Sequence, residues 1–310
     1  MTPVPARLDA TLVASGRARS RRHATELVQS GRVLVDGAVA TKPARAIDPG
    51  STVVVTPGPE PEYASRGAYK LLGALERWPD VVVEDAICLD AGASTGGFTD
   101  VLLRRGARLV HAVDVGHDQL VPALRDDARV RVREGVNVRD LRPGDLDPAP
   151  GLVVGDLAFI SLTLVLEQLV EVALPGADVL LLVKPQFEVG RERLGSGGVV
   201  RGPELRREAV LTVVERGAAL GLRLRGVVAS PLPGPSGNVE YFVRWTAPGA
   251  DATASADGDG GGDGEVDAAA EVARAIATGP VAASGVPASG VPGVTDLPVA
   301  GGTAATEVPA

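Results

Sequence analysis

The chain has 310 residues, a net charge of −8 and an apolar fraction of 45%, enough for one large domain and a small one. Its single cysteine excludes an internal disulfide and suits a reducing compartment. No run of about 18 uncharged apolar residues occurs, and the opening stretch MTPVPARLDATLV lacks the apolar segment of a signal peptide, so a cytoplasmic protein without a membrane span is expected.

The charge is unevenly spread. Residues 249–310 carry nine acids against one base, Arg274, so the rest of the chain is neutral overall. Within that body, residues 1–59 hold eight Arg/Lys and four acids. A basic head on a neutral body fits a nucleic-acid partner.

Residues 7–55 read as one small unit. Leu8, Leu12 and Val13 share a helix face that Gly16 ends. Ser20 is placed to cap a second helix, with Ala24, Leu27 and Val28 on one face, closed by Gly31. Val33–Val35, a turn at Asp36-Gly37, Val39, and a last strand at Val53–Val55 follow; Asp-Gly between short apolar runs predicts a hairpin. Arg17, Arg19, Arg21 and Arg22 cluster at the joint between the helices, as either an RNA contact or a solvated basic surface. The run RLDATLVASGRARSRRHATELVQSGRVLVDGAVATKP resembles the S4-type RNA-binding domain. That resemblance favours the RNA contact, with Arg7, Arg17, Arg19, Arg21, Arg22 and Lys42 expected to grip structured RNA by its phosphates, for affinity without sequence choice; Arg66, in the second domain, is a further expected RNA contact.

Residues 1–56 are therefore expected to form the small α+β domain, 57–63 a stiff Pro-rich linker, 64–247 a second domain and 248–310 a disordered acidic tail. Ala268–Ala277 has some helical character, and no function is assigned to it. In the second domain a helix through Leu71, Leu72, Leu75 and Trp78 stops at Pro79. Strands are then predicted at 86–90, 109–114, 129–133, 152–156, 179–184, 223–229 and 239–245, and helices at 97–105, 117–125, 161–173 and 204–220. Strands alternating with helices predict an α/β fold with a parallel sheet, covered on both faces. The short loop Pro231–Gly237 adds an antiparallel hairpin at one end of the sheet, as in seven-stranded, Rossmann-like methyltransferases.

The stretch CLDAGASTGGFTD, Cys88–Asp100, reads as a strand, a tight glycine loop and a helix. Such loops bind ligands at the carboxyl ends of strands. The loop has neither the dinucleotide pattern G-x-G-x-x-G nor a Walker lysine. An acid at the strand end, Asp90, repels phosphate and suits an ammonium, which favours S-adenosylmethionine (SAM) over a loop that merely turns. Its expected contacts are Asp90, Gly92, Ser94, Thr95, Gly96 and Gly97. Asp114, ending the second strand, is a ribose ligand or a helix cap. Asn137 is preferred over Asp140 as the partner of adenine.

The fourth strand ends Gly155-Asp156 and the fifth Val183-Lys184-Pro185. Adjacent strands would set Asp156 beside Lys184, as a tuned acid–base pair or a structural ion pair. The following loop, GRERLGSGGVVRG, mixes Arg191, Arg193 and Arg201 with glycines and reads as a mobile RNA-contacting flap or a plain surface loop.

SRGAYKL, LDAGASTGGFTD, AVDVG, GDLAFISL, VKPQFE and GNVEYF, with the S4-type head, closely resemble the TlyA family, whose catalytic domain is FtsJ-like. The resemblance implies a SAM-dependent 2′-O-methyltransferase acting on cytidine in 16S or 23S ribosomal RNA, expected to be a monomer. It implies a catalytic set of Lys70, Asp156, Lys184 and Glu240, with no metal ligand. Ala68 and Ala158 depart from the family's Gly and Ser. Methylation at cytosine C5 is disfavoured, because it needs a cysteine near the fourth strand and Cys88 lies in the first. The other readings are a non-enzymatic RNA-binding or ribosome-assembly factor that keeps the SAM pocket, and the membrane lysis suggested by the family's older name, hemolysin.

Overall fold

The structure is a computed structural model that describes residues 6–18, 20–56, 63–234, 236–249 and 266–279. The N-terminal unit is built from β1 (Ala6–Arg7), α1 (Leu8–Ala14), α2 (Arg21–Gln29), β2 (Val33–Val35), β3 (Ala38–Val39), β4 (Ala46–Ile47) and β5 (Val53–Val55). Ser20 caps α2 by accepting from the His23 N–H at 3.2 Å. β2 pairs antiparallel with β3 and with β5. Asp36 and Gly37 turn the β2–β3 hairpin with φ of 53° and 81°, the positive values that a tight two-residue turn needs. Leu8, Leu12, Ala24, Leu27, Val28, Val33 and Val35 form its core.

The second domain runs α3 (Ala68–Arg77), β6 (Ile87–Ala91), α4 (Gly97–Arg104), β7 (Leu109–Asp114), α5 (Pro122–Arg125), β8 (Val130–Glu134), β9 (Leu152–Gly155), α6 (Leu166–Glu171), β10 (Asp178–Val183), α7 (Pro185–Glu188), α8 (Pro203–Ala219), β11 (Arg223–Ala229) and β12 (Tyr241–Thr246). Its sheet has the order β11-β12-β10-β9-β6-β7-β8. β12 is antiparallel to both neighbours, while the pairs from β10 to β8 are parallel. Alternate residues of β10 divide between two cores. Val179, Leu181 and Val183 join one with α6 and α8, and Leu180 and Leu182 join the other with α3, α4 and α5. Period-two side chains buried on both faces identify a covered central strand.

Two predicted helices are shorter than expected, for local reasons. The one predicted over 117–125 begins only at Pro122. Glu134, across the sheet edge, accepts the N–H groups of Asp118, Gln119 and Leu120, and Asp118 takes φ +54°. The one predicted over 161–173 is a 3₁₀ turn, Leu162–Leu164, followed by α6 after an irregular Val165 with φ −126°.

The tail predicted from residue 248 is corrected within 266–279. There α9 (Ala268–Thr278) packs on the body, burying Val272 and Ala275 in the α8 core. Glu271 accepts from the Val227 N–H at 3.3 Å, and Arg274 donates to the Val227 carbonyl at 3.0 Å. An i, i+3 pair thus covers the outer strand β11, whose exposed backbone would otherwise invite pairing with another chain. Two small buried side chains are too weak a stripe to stand out in an Ala-rich sequence. Tail residues 250–265 and 280–310, and linker residues 57–62, lie outside the described set.

Candidate active site

The sheet order opens a crevice between β6 and β9, because the chain leaves β6 for β7 on one side and later returns to β9 on the other. Ligands bind at such a reversal, outside the carboxyl ends of the strands. Asp90 and Asp156 stand on its two sides. Register explains why distant residues meet there. Val183 pairs with Tyr241 and Leu181 with Gly155. Lys184 follows Val183, Asp156 follows Gly155 and Glu240 precedes Tyr241, all at the same edge. Lys70 comes from the first turn of α3, whose face of Ala68, Leu71, Ala74 and Leu75 packs on the sheet.

The four side chains form one chain of alternating charge. Glu240 Oε2 lies 2.7 Å from Lys70 Nζ, Lys70 Nζ 3.2 Å from Asp156 Oδ2, and Asp156 Oδ1 2.6 Å from Lys184 Nζ. Glu240 is the deepest, with a side chain 0% exposed, and Asp156 the most open at 21%. Burial pulls the Lys70 ammonium down, but Asp156 and Glu240 outweigh it and leave its pKa above the ordinary lysine value. Burial likewise pushes Asp156 up, but Lys184 and Lys70 hold it below the usual carboxylate range. Lys70 and Asp156 are therefore fixed charges at neutral pH.

The glycine loop is shaped by its neighbours. Gly92 has φ +83°, and a Cβ there would stand 3.1 Å from Leu157 and 3.2 Å from the Asp156 carbonyl. Gly96, at φ +95°, faces Leu120 and Leu124, and Gly97 backs onto Ser65 and the N–H of Ala68. These last two face protein, so they reach a ligand only through backbone. Ser94, at φ +49°, donates its N–H to Asp114 Oδ2 at 2.8 Å, and Gly116 donates to Asp114 Oδ1 at 2.7 Å. Thr95 follows, its carbonyl accepting from the Val121 N–H at 3.4 Å. Asn137 caps a 3₁₀ turn through the Arg139 N–H and, with Asp140, lines a cavity of about 350 Å³. Asp90 is buried, with Oδ2 accepting from Thr99 Oγ1 at 2.6 Å and no hydrogen-bond partner for Oδ1. Burial pushes its carboxyl up to about 7.

Ala68, the first residue of α3, sits in the helix, where a Cβ costs nothing. Ala158 is exposed. The loop after Glu188 is anchored at its far end. Asn238, 2% exposed, accepts from the Val200 N–H at 2.8 Å and donates to the Gly198 carbonyl at 3.0 Å. Val189, Val200 and Ala209 close a small core beneath it.

Of the expected RNA contacts, Arg17, Arg21 and Lys42 are exposed on the head, and Arg7 grips Asp9 at 2.8 Å. Arg19 lies outside the described residues, as does the side chain of Arg22 on α2. Arg66 belongs to the second domain, donating to the Pro233 carbonyl at 3.3 Å. Three residues escaped sequence reasoning. Glu134 gathers the loop after β7, and its carboxyl is lowered to about 2, chiefly by the Asp118 N–H. Glu188 holds the loop after β9. Phe159, three residues past Asp156, is 92% exposed at φ +65°, its ring tilted on Phe187 at 5.4 Å. An aromatic offered to solvent beside a polar site suits stacking on a base. The only sequence signal for it was its place in GDLAF.

The FtsJ-like methyltransferase family model matches residues 63–246, and the S4 domain model matches residues 6–53. The chain is a methyltransferase of the FtsJ-like class carrying an S4 domain. It is 53% identical over 238 residues, 77% of this chain and 88% of the relative, to the 16S/23S rRNA (cytidine-2′-O)-methyltransferase TlyA of Mycobacterium tuberculosis. It is 35% identical to hemolysin A of Brachyspira hyodysenteriae, over 77% of this chain and 99% of the relative. A solved structure from Streptococcus thermophilus described as a hemolysin superposes with a TM-score of 0.65 at 37% identity, covering 88% of this chain and 96% of that one. The chain belongs to the TlyA family.

Proposed function

We propose that the chain transfers a methyl group from SAM to the ribose 2′-oxygen of a cytidine in ribosomal RNA, of the 16S species, the 23S species or both. The observation that carries this reading is the unbroken Glu240–Lys70–Asp156–Lys184 chain at the ligand-binding edge of the sheet. The activity named for the M. tuberculosis relative supports it, and so does the S4 match. No helix among the described residues is long and apolar enough to cross a membrane.

SAM fits the residues present. The partnerless Asp90 Oδ1 suits its α-ammonium, and Asp114 and Asn137 are the groups for ribose and adenine. Bound there, SAM supplies an electrophilic methyl group on a sulfonium. Lys184 Nζ, at the end of the chain opposite Glu240, orients the 2′-oxygen by donating to it and stabilises the negative charge that develops there as its proton passes to water. Asp156 aims Lys184, Lys70 fixes Asp156, and Glu240 fixes Lys70. Holding oxygen and methyl in line contributes most of the acceleration, and proton assistance adds typically ~10²–10⁴-fold.

The experiment is incubation of purified ribosomal subunits with methyl-labelled SAM and the full chain. Label enters ribosomal RNA if the reading holds. SAM binding without label transfer would leave an RNA-binding factor with a retained pocket.

The Asp90 assignment has its own pH signature. A carboxyl near 7 in the free protein must ionise to hold an ammonium, so SAM affinity falls about tenfold per pH unit below ~7. The α-amino group of the ligand loses its charge above about 8. Calorimetric Kd should therefore be lowest between these limits, and Asp90→Asn should remove the acidic limb. A Kd that is flat from pH 5.5 to 7.5 takes Asp90 out of the cofactor contact.

A further inference from the structure

One short turn of chain holds both ends of the Asp156–Leu162 loop. At the start, Asp156 Oδ1 meets Lys184 Nζ at 2.6 Å. At the finish, Glu188 accepts from Ser161 Oγ at 2.5 Å on Oε2 and from the Leu162 N–H at 2.9 Å on Oε1. Lys184 is the N-cap of α7 and Glu188 its last residue. Between the two anchors lies Phe159, with its left-handed backbone and exposed ring, and the side chain it leans on, Phe187, belongs to the same turn.

A non-glycine residue at φ +65° is strained, and such strain persists only where the surroundings over-determine it. Glu188 anchors the chain two and three residues further on, at Ser161 and Leu162. A simple helix cap does not account for it, because Ser161 already caps the 3₁₀ turn through the Thr163 N–H at 3.2 Å. Glu188 reaches in from another element to fix the capping residue itself. Burial lifts its carboxyl above the ordinary glutamate value, although Ser161 and Leu162 pull the other way.

We propose that Glu188 is a positioning residue for the acceptor nucleotide: with Lys184 it holds the loop in the one conformation that presents Phe159 to the base of the cytidine. The proposal rests on the 2′-O-methylation reading and on Phe159 meeting that base. It makes α7 a common ruler, setting the proton-handling lysine and the aromatic platform at a fixed spacing.

The test is steady-state kinetics of the full chain on ribosomal subunits with SAM. The variants are Phe159→Ala, Glu188→Ala, the double variant, Ser161→Ala and Glu188→Gln, each with a thermal melt and a SAM Kd. Glu188→Ala should lower kcat/KM for the subunits about tenfold (~1.4 kcal/mol) with SAM Kd unchanged. Glu188→Gln should recover most of that loss, since its amide can accept from Leu162 and donate to Ser161 Oγ. Placed in the Phe159→Ala background, Glu188→Ala should cost nothing more, the coupling expected when one residue acts through the other. Ser161→Ala keeps the Leu162 bond and should give a smaller loss, which keeps the question open to measurement if Glu188→Ala does not fold. Multiplicative losses, or a weakened SAM Kd, would overturn the proposal in favour of a general structural role. Loss in Phe159→Ala with none in Glu188→Ala would overturn the latch and leave the 2′-O-methylation reading standing. No loss in Phe159→Ala would overturn the platform on which the latch depends.

Discussion

Lys184→Ala should abolish most methyl transfer while leaving the protein folded and able to bind SAM. Lys184 is the terminal member of the charged chain, and its removal leaves Asp156 paired with Lys70 at 3.2 Å, so no buried charge is stranded. What is lost is the ammonium at the end of the chain opposite Glu240, and with it the proton assistance worth about 10²–10⁴-fold. Single-turnover rates should fall by that factor at saturating subunits. SAM Kd, read by calorimetry, should be unchanged. A variant that loses SAM binding instead would make Lys184 a cofactor ligand and remove it from the chemistry.

Glu240→Ala should be the more damaging change to the fold. Glu240 is 1% exposed and Lys70 is 6% exposed, so the substitution leaves a buried ammonium with Asp156 as its one remaining partner in the charged chain. Breaking a buried ion pair by deleting one partner typically costs about 3–5 kcal/mol. For a domain of this size that lowers Tm by roughly 6–20 °C. Activity should fall as well, because Lys70 then draws Asp156 away from Lys184. Glu240→Gln keeps an acceptor for Lys70 and should cost less on both counts. Scanning calorimetry beside the rate assay separates the two effects. A Glu240→Ala protein as stable as the parent would show that Lys70 does not need its acid.

The contrast between these variants also indicates what the sequence could convey. Asp156 and Lys184 were legible as neighbours because each ends a predicted strand and adjacent parallel strands present their ends together. Lys70 and Glu240 were not legible from periodicity. Glu240 reaches the site because β12 inserts antiparallel between β10 and β11, and nothing in the pattern of a short hairpin says which strand lies inside. Resemblance supplied those two residues, and register explains them. The parts that stayed hidden share another property. Glu134 replaces a predicted helix with a bonded loop, Glu188 anchors the Phe159 loop, and Glu271 with Arg274 closes the β11 edge. In each case a long-range acid takes backbone or hydroxyl donors, a bond that local propensity does not encode.

All of these roles serve one outcome, a methyl group on a sugar oxygen. Digesting labelled ribosomal RNA to nucleosides and identifying the labelled species by mass spectrometry tests it most directly. The charged chain at the sheet edge predicts 2′-O-methylcytidine, absent with Lys184→Ala. Label on the cytosine base, or on any base, would contradict it.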